Sequence, residues 1–127
     1  MVNVETIGTP DPRPRLASRD EPVVAGFRCG ACGYPAFQPM PDCPVCGGAL
    51  AEATFGPSGT VFASTCLRVR VPGRPSPRGL SYVDLDEGPR VLAEVSADVS
   101  PLPVGTRVVL TGVSAQGDLR VRAEEAS

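Results

Sequence analysis

From Gly59 to the C-terminus, apolar residues recur at every second position in short runs broken by Gly and Pro, which is the period of strands. Thr60 to Val71 alternates, with Val61, Ala63, Thr65, Leu67, Val69 and Val71 on one face. The opposite parity places Phe62, Cys66, Arg68 and Arg70 together, provided that no bulge shifts the register. Leu80 to Asp86 sets Val83 and Leu85 on one side. Glu87-Gly88-Pro89 then reads as a turn, and Arg90 to Val95 continues with Val91, Ala93 and Val95 in phase, so the two runs predict a hairpin. Thr106 to Val113 is a fourth strand. Asp118 to Ala123 is a fifth, with Leu119, Val121 and Ala123 opposed to Arg120, Arg122 and Glu124. Between them, Ala115-Gln116-Gly117-Asp118 supplies the Gly of a short hairpin. Five short strands with a long first one are too few for a sandwich and predict a small closed barrel of the OB type. In the segment Ser96 to Gly105, Pro101 and Pro103 leave room for a 3₁₀ turn but hardly for the helix that many OB folds place there.

The chain before this region follows no such rhythm. Residues 1–22 carry Pro10, Pro12, Pro14 and Pro22 among charges, so at most one helical turn fits around Leu16 to Asp20 and a flexible arm is expected. Residues 23–50 hold four of the five cysteines, and residues 51–127 make the barrel. The predicted fold is therefore mostly β: a rubredoxin-like zinc ribbon followed by a five-stranded OB barrel.

The cysteines carry the strongest chemical signal. Cys29-Gly-Ala-Cys32-Gly33 is followed by Cys43-Pro-Val-Cys46-Gly47, with ten residues between Cys32 and Cys43. Two residues between paired cysteines let one tight turn aim both sulfurs at the same ion, and the Gly after each pair permits the reversal at positive φ. Two such knuckles, joined by a hairpin containing Tyr34 and Phe37, predict a tetrahedral four-sulfur site for structural Zn²⁺. Four thiolates close the coordination sphere and leave no place for an activated water. Iron would use the same ligands, and spacing alone does not separate the two metals. A segment this poor in apolar mass needs the metal to fold, at about 10–16 kcal/mol in comparable peptides.

Composition removes whole classes of activity. There is no His, which eliminates Ser-His-Asp and Cys-His nucleophile systems and His general bases. Neither a P-loop nor a G-x-G-x-x-G fingerprint occurs. Asp84, Asp86 and Glu87 cluster at a hairpin and read as a solvated turn. Cys66, on the long first strand, reads as a small core-filling residue. An enzyme acting alone is not expected. The net charge of −2 argues against wholesale binding of nucleic acid. No run of about 18 apolar residues exists to span a membrane. The N-terminus lacks the charged-then-apolar order of a secretory signal, so a cytoplasmic location is expected, where paired cysteines are metal ligands rather than disulfides. One basic feature stands out: Arg68, Arg70, Arg74 and Arg78 fall between Cys66 and Leu80 with no acid among them. Guanidinium forks bind phosphate oxygens bidentately, so these residues are candidates for contact with nucleic acid, with the phosphates of coenzyme A, or with a partner protein.

Taken in order, four pieces resemble the acyl-CoA-associated zinc-ribbon/OB-fold family known as domain of unknown function 35. They are the Cys29/Cys32 and Cys43/Cys46 knuckles, the segment Gly56 to Phe62 that opens the barrel, the stretch Tyr82 to Leu92, and Leu102 to Val108. The resemblance covers roughly residues 23–113 and departs from the family's pattern in the Pro-rich N-terminal segment and in Pro72 to Arg78. It implies a non-catalytic accessory subunit in lipid metabolism. Such a subunit binds and stabilises a thiolase-fold enzyme (a thiolase, a ketoacyl synthase or a lipid-transfer-type aldolase) in a hetero-oligomer. It also helps to form the enzyme's acyl-CoA channel, with the acyl-CoA at the shared interface. Some members fuse the module to a hydratase-like domain; beginning at its own Met, this chain is expected to stand alone. The competing readings are a single-stranded nucleic-acid-binding OB module with a structural ribbon, and a rubredoxin-like electron carrier that would need iron.

Overall fold

A computed structural model describes residues 13–17, 21–70, 72–73, 77–95, 101–115 and 117–124. Among them there is no helix, and so none long and apolar enough to cross a membrane. Nine strands among the described residues form two sheets. The first sheet holds β1 (Arg15–Leu16), β2 (Val24–Cys29), β3 (Pro35–Ala36) and β4 (Leu50–Phe55), with β2 paired antiparallel to each of the others. The second is the expected five-stranded barrel, made by β5 (Ser58–Leu67), β6 (Arg78–Leu85), β7 (Arg90–Val95), β8 (Arg107–Val113) and β9 (Leu119–Ala123). Its ring order is β5-β6-β7-β9-β8, closed by β8 against β5 and by a parallel pairing of β7 with β9.

The hairpin read from Leu80 to Val95 is present, and its inward positions are those the alternation gives. Val83, Leu85, Val91 and Ala93 are buried, as are Val108, Leu110, Leu119 and Val121 from the last two strands. The first barrel strand differs from its expected form. Val61 pairs with Val83 but Ala63 pairs with Tyr82, so Phe62 is the extra residue of a bulge. Beyond it the faces exchange. Ser64 lies opposite Ser81, with their Oγ atoms 2.7 Å apart, while Thr65 turns outward. The single face proposed for Val61, Ala63, Thr65 and Leu67 is thereby broken, as is the one shared by Phe62 and Cys66. The strand also stops at Leu67, leaving Arg68, Val69 and Arg70 exposed past its end, while Arg78 opens β6 instead of lying in the loop. Val71, Arg74 and the 96–100 part of the proposed 3₁₀ segment lie outside the described residues, as do residues 1–12 and 18–20 of the N-terminal arm. Where a helical turn was expected to begin, Arg15 and Leu16 instead pair with Ala25 and Val24.

The ribbon sheet runs to Phe55, past the boundary drawn at residue 50, and shares its apolar interior with the barrel. Val24 and Phe55 join the barrel residues in one buried cluster, against which Leu16, Phe37 and Ala53 pack. The cysteine-bearing half is thus seated on the barrel core and is not a loosely tethered appendage.

On the barrel surface Arg107 bridges strands, donating from both Nη atoms to the Asp86 carboxylate at 2.8 and 2.7 Å and from Nη1 to Thr60 Oγ1 at 2.9 Å. The hydrogen bonds from Arg107 hold the Asp86 carboxyl below the usual carboxylate range. A carboxyl lowered on folding stabilises the fold fully above its unfolded value of about 4 and loses that contribution as the pH falls through its folded value. The effect is small because both side chains are about half exposed. Arg107→Ala is therefore expected to lower stability near neutrality by more than it does at about pH 3. Denaturant titrations at the two pH values check this, and an equal deficit at both would contradict it.

Candidate metal centre and the arginine surface

Each knuckle is built by the same backbone pattern. Gly33 N–H donates to Cys29 O and Cys29 N–H to Tyr34 O, both at 2.9 Å. In the second knuckle Gly47 N–H donates to Cys43 O and Cys43 N–H to Gly48 O, also at 2.9 Å. Closing turns this tight needs the left-handed backbone of Gly33 (φ 82°) and Gly47 (φ 79°), where a Cβ would be strained. Gly30 N–H reaches Ala49 O at 3.2 Å and ties one knuckle to the other.

The four sulfurs of Cys29, Cys32, Cys43 and Cys46 lie within 4.8 Å of one another. Cys29 and Cys46 are separated by 3.5 Å between sulfurs, and Cys32 and Cys43 by 3.7 Å. A tetrahedral ion with metal–sulfur bonds of about 2.3 Å requires edges of about 3.8 Å, so the cage matches one ion and is far too open for disulfides. Cys29 and Cys43 are buried, whereas Cys32 and Cys46 face solvent. The N–H groups of Cys32 and Ala31 point at Cys29 Sγ, each at 3.4 Å, and draw its pKa down to about 6. Although the Gly48 N–H acts to lower it, Cys46 is pushed up to about 12 by sharing hydrogen with Cys29 and Cys32. A cluster this crowded with sulfur does not hold four thiolates unaided; a bound cation is what would let all four ionise.

The arginines do not converge in the same way. Arg68 and Arg70 are exposed beyond β5, and Arg74 lies outside the described residues. Arg78 is mostly buried, its Nη1 at 2.8 Å from Glu94 Oε2 and 3.9 Å from Asp118 Oδ2. Arg13 from the N-terminal segment reaches Asp118 at 3.2 Å on the same side. These groups border a pocket of about 110 Å³ together with Leu80 and Leu92. Ligand pockets for drug-sized molecules start near 300 Å³, so this one cannot hold a coenzyme A thioester. An open groove of about 420 Å³ lies where the ribbon meets the barrel, walled by Tyr34, Phe37 and Met40 on one side and Pro89 and Arg90 on the other.

Two features carry no signal in the sequence pattern. The first is at the junction. Arg28 donates from Nη1 to Gly33 O at 2.9 Å and from Nη2 to Glu87 O, with its guanidinium 5.2 Å from the centre of the Phe55 ring. The second is on the outer barrel wall, where Phe62, Tyr82 and Leu92 are each more than two-fifths exposed. Arg90 stacks 3.4 Å over Phe62 while gripping Asp84 through Nε and Nη2 at 2.6 and 3.2 Å. The chain has only six aromatic residues, and Phe55 is the single one in the buried cluster of described residues.

Residues 52–113 match the family model of the ChsH2 C-terminal OB-fold domain. Among solved structures, a chain of the Ltp2-ChsH2(DUF35) aldolase is similar with a TM-score of 0.64 at 25% identity, over 78% of this chain and 83% of that one.

Proposed function

The barrel is an OB fold of the DUF35 family, and from that premise we propose that this chain is an accessory subunit that binds and stabilises a thiolase-superfamily enzyme and helps to form its acyl-CoA channel. The observation that carries the reading is the likeness, over most of both chains, to a chain of an aldolase named for two proteins, Ltp2 and ChsH2. The residues support the same division of labour. Without any His, and with cysteines arranged as a closed four-sulfur cage, the chain is suited to holding shape while a partner supplies nucleophile and base. In this reading Cys29, Cys32, Cys43 and Cys46 bind a structural Zn²⁺. Large side chains kept at the surface (Phe62, Tyr82 and Leu92) are of the kinds that anchor protein interfaces when aromatic.

The pocket beside Arg78 is too small for an acyl-CoA, and the grooves of about 420 Å³ (Tyr34 to Met40 against Pro89 and Arg90) and about 600 Å³ (Arg15, Phe27, Phe37 and Glu52) are open to solvent, so in this reading the partner supplies the remaining wall of the channel. Arg68, Arg70 and Arg74 remain candidates for the coenzyme phosphates or the partner, whereas Arg78 has its charge engaged by Glu94.

A second reading draws on the same wall: Phe62 and Tyr82 are exposed on an OB barrel, where single-strand binders stack bases. The net charge of −2 disfavours it. Co-expression of the tagged chain with candidate thiolase-fold subunits separates the two. Stoichiometric recovery of one such subunit, which is insoluble or inactive when expressed alone, is the expected result. A fully active and stable partner on its own would remove the essential-subunit role, and recovery with oligonucleotide bound in a salt-sensitive manner would favour the second reading. Elemental analysis of the same preparation should return one zinc per chain; a coloured, iron-containing protein would overturn the zinc assignment.

A further inference from the structure

We infer that Arg28 couples metal occupancy of the ribbon to the conformation of the β6–β7 turn, so that the metal sets the shape of the groove between ribbon and barrel. The inference rests on the reading that the four cysteines hold a metal. The guanidinium is a rigid planar fork. One arm holds Gly33 O, the carbonyl that leaves the first knuckle immediately after Cys32, and the other holds Glu87 O at the tip of the turn. Both acceptors are backbone atoms, so the guanidinium joins the backbone of the knuckle directly to the backbone of the turn.

The turn is a segment that needs holding. Glu87 has a left-handed φ of 53°, uncommon for a residue with a Cβ. Gly88 is wedged so closely against Phe55 that an added Cβ would meet its Cδ1 at 2.8 Å. Within the turn itself, Gly88 N–H donates to Leu85 O at 2.9 Å and Leu85 N–H to Pro89 O at 3.2 Å. Pro89 and Arg90 form one wall of the groove whose other wall, Tyr34 to Met40, belongs to the ribbon. Closing the cage fixes Gly33 O, which fixes Arg28, which fixes the turn and therefore the separation of the two walls. Arg28 acts as a positioning residue, through the carbonyls of Gly33 and Glu87.

Hydrogen exchange at Gly88 N–H, with and without metal, tests the coupling. Leu110 N–H, bonded to Pro57 O at 2.8 Å in the barrel, serves as the internal reference for global loosening. In the wild-type chain, chelation should accelerate exchange at Gly88 relative to Leu110 by about tenfold or more, the scale of one charge-assisted hydrogen bond. In Arg28→Lys, which lacks the rigid planar fork that spans the two carbonyls, the same chelation should change the ratio by less than about twofold. Wild-type acceleration absent despite measured metal, or equal acceleration in the variant, overturns the coupling while leaving the metal site standing. A wild-type chain without metal overturns both. If Arg28→Lys fails to bind metal, the guanidinium N–H signals of Arg28 in the wild-type protein decide: they should be protected with metal and lost on chelation, and protection unchanged by chelation overturns the inference.

Discussion

Chelating the metal is expected to unfold the ribbon from Gly26 to Thr54 while the five barrel strands stay folded. Between Cys29 and Ala49 the buried described residues are Cys29, Ala36 and Cys43, two of them cysteines of the cage. Hydrophobic burial contributes about 25 cal/mol per Å² of apolar surface, so Ala36 and the half-buried Phe37 cannot by themselves offset the entropy of ordering that stretch. Metal binding in comparable peptides contributes about 10–16 kcal/mol, which is the term that holds the knuckles. The barrel, by contrast, keeps Val61, Val83, Leu85, Val91, Val108, Leu110, Leu119 and Val121 in its own core. Amide exchange should therefore rise to the unfolded rate at Gly33 and Gly47, whose N–H groups close the two knuckles, while Val61 and Leu110 retain protection. Cys43→Ser should reproduce the result without a chelator. Knuckle amides that stay protected after complete metal removal would show that packing, not coordination, holds the ribbon.

Phe55→Ala should be the most damaging single substitution, lowering stability by about 3–5 kcal/mol. Phe55 is 3% exposed and lies where Arg28, Gly88 and Gly26 converge. Truncation would leave a cavity bounded by both sheets, and the close approach of Gly88 leaves no neighbouring side chain on that side to relax into it. Phe62 provides the contrast within the same chain. It is half exposed and held by the stacked Arg90, so Phe62→Ala should lower stability by about 1 kcal/mol or less. Urea denaturation of the two variants checks the pair of expectations. Equal losses would mean that Phe55 does not join ribbon to barrel.

How much of this was legible in the sequence depends on the range of the interaction. The two knuckles are, because Cys-x-x-Cys followed by Gly is a local geometric device whose parts lie within five residues. The β6–β7 hairpin is too: Val83, Leu85, Val91 and Ala93 keep strict alternation about a Gly-Pro turn. The bulge at Phe62 is not, since an apolar residue on either side of it satisfies the alternating pattern equally well and only pairing with β6 reveals the slip. The strand Arg15–Leu16 is hidden because two residues carry no period and their stability comes entirely from β2. Arg28 illustrates the same limit at the site. Its partners are carbonyl oxygens at Gly33 and Glu87, and backbone acceptors leave no mark on residue type. Arg78 reads as part of a basic loop because its acids, Glu94 and Asp118, come from a strand and a turn far along the chain.

The barrel's closure has a consequence for how the chain is made. Gly59, near the start of β5, has Val108 of β8 as its partner, and β7 is joined to β8 only through β9, the last strand. Such long-range pairings delay folding because the loop they close must first be ordered. On a ribosome the ring therefore has to wait for β9 to emerge. Cys29, Cys32, Cys43 and Cys46 all precede β5, so the cage could take up an ion while the barrel is still an unpaired nascent strand. Val24 and Phe55 would then already be presented side by side, as the surface on which the later strands condense.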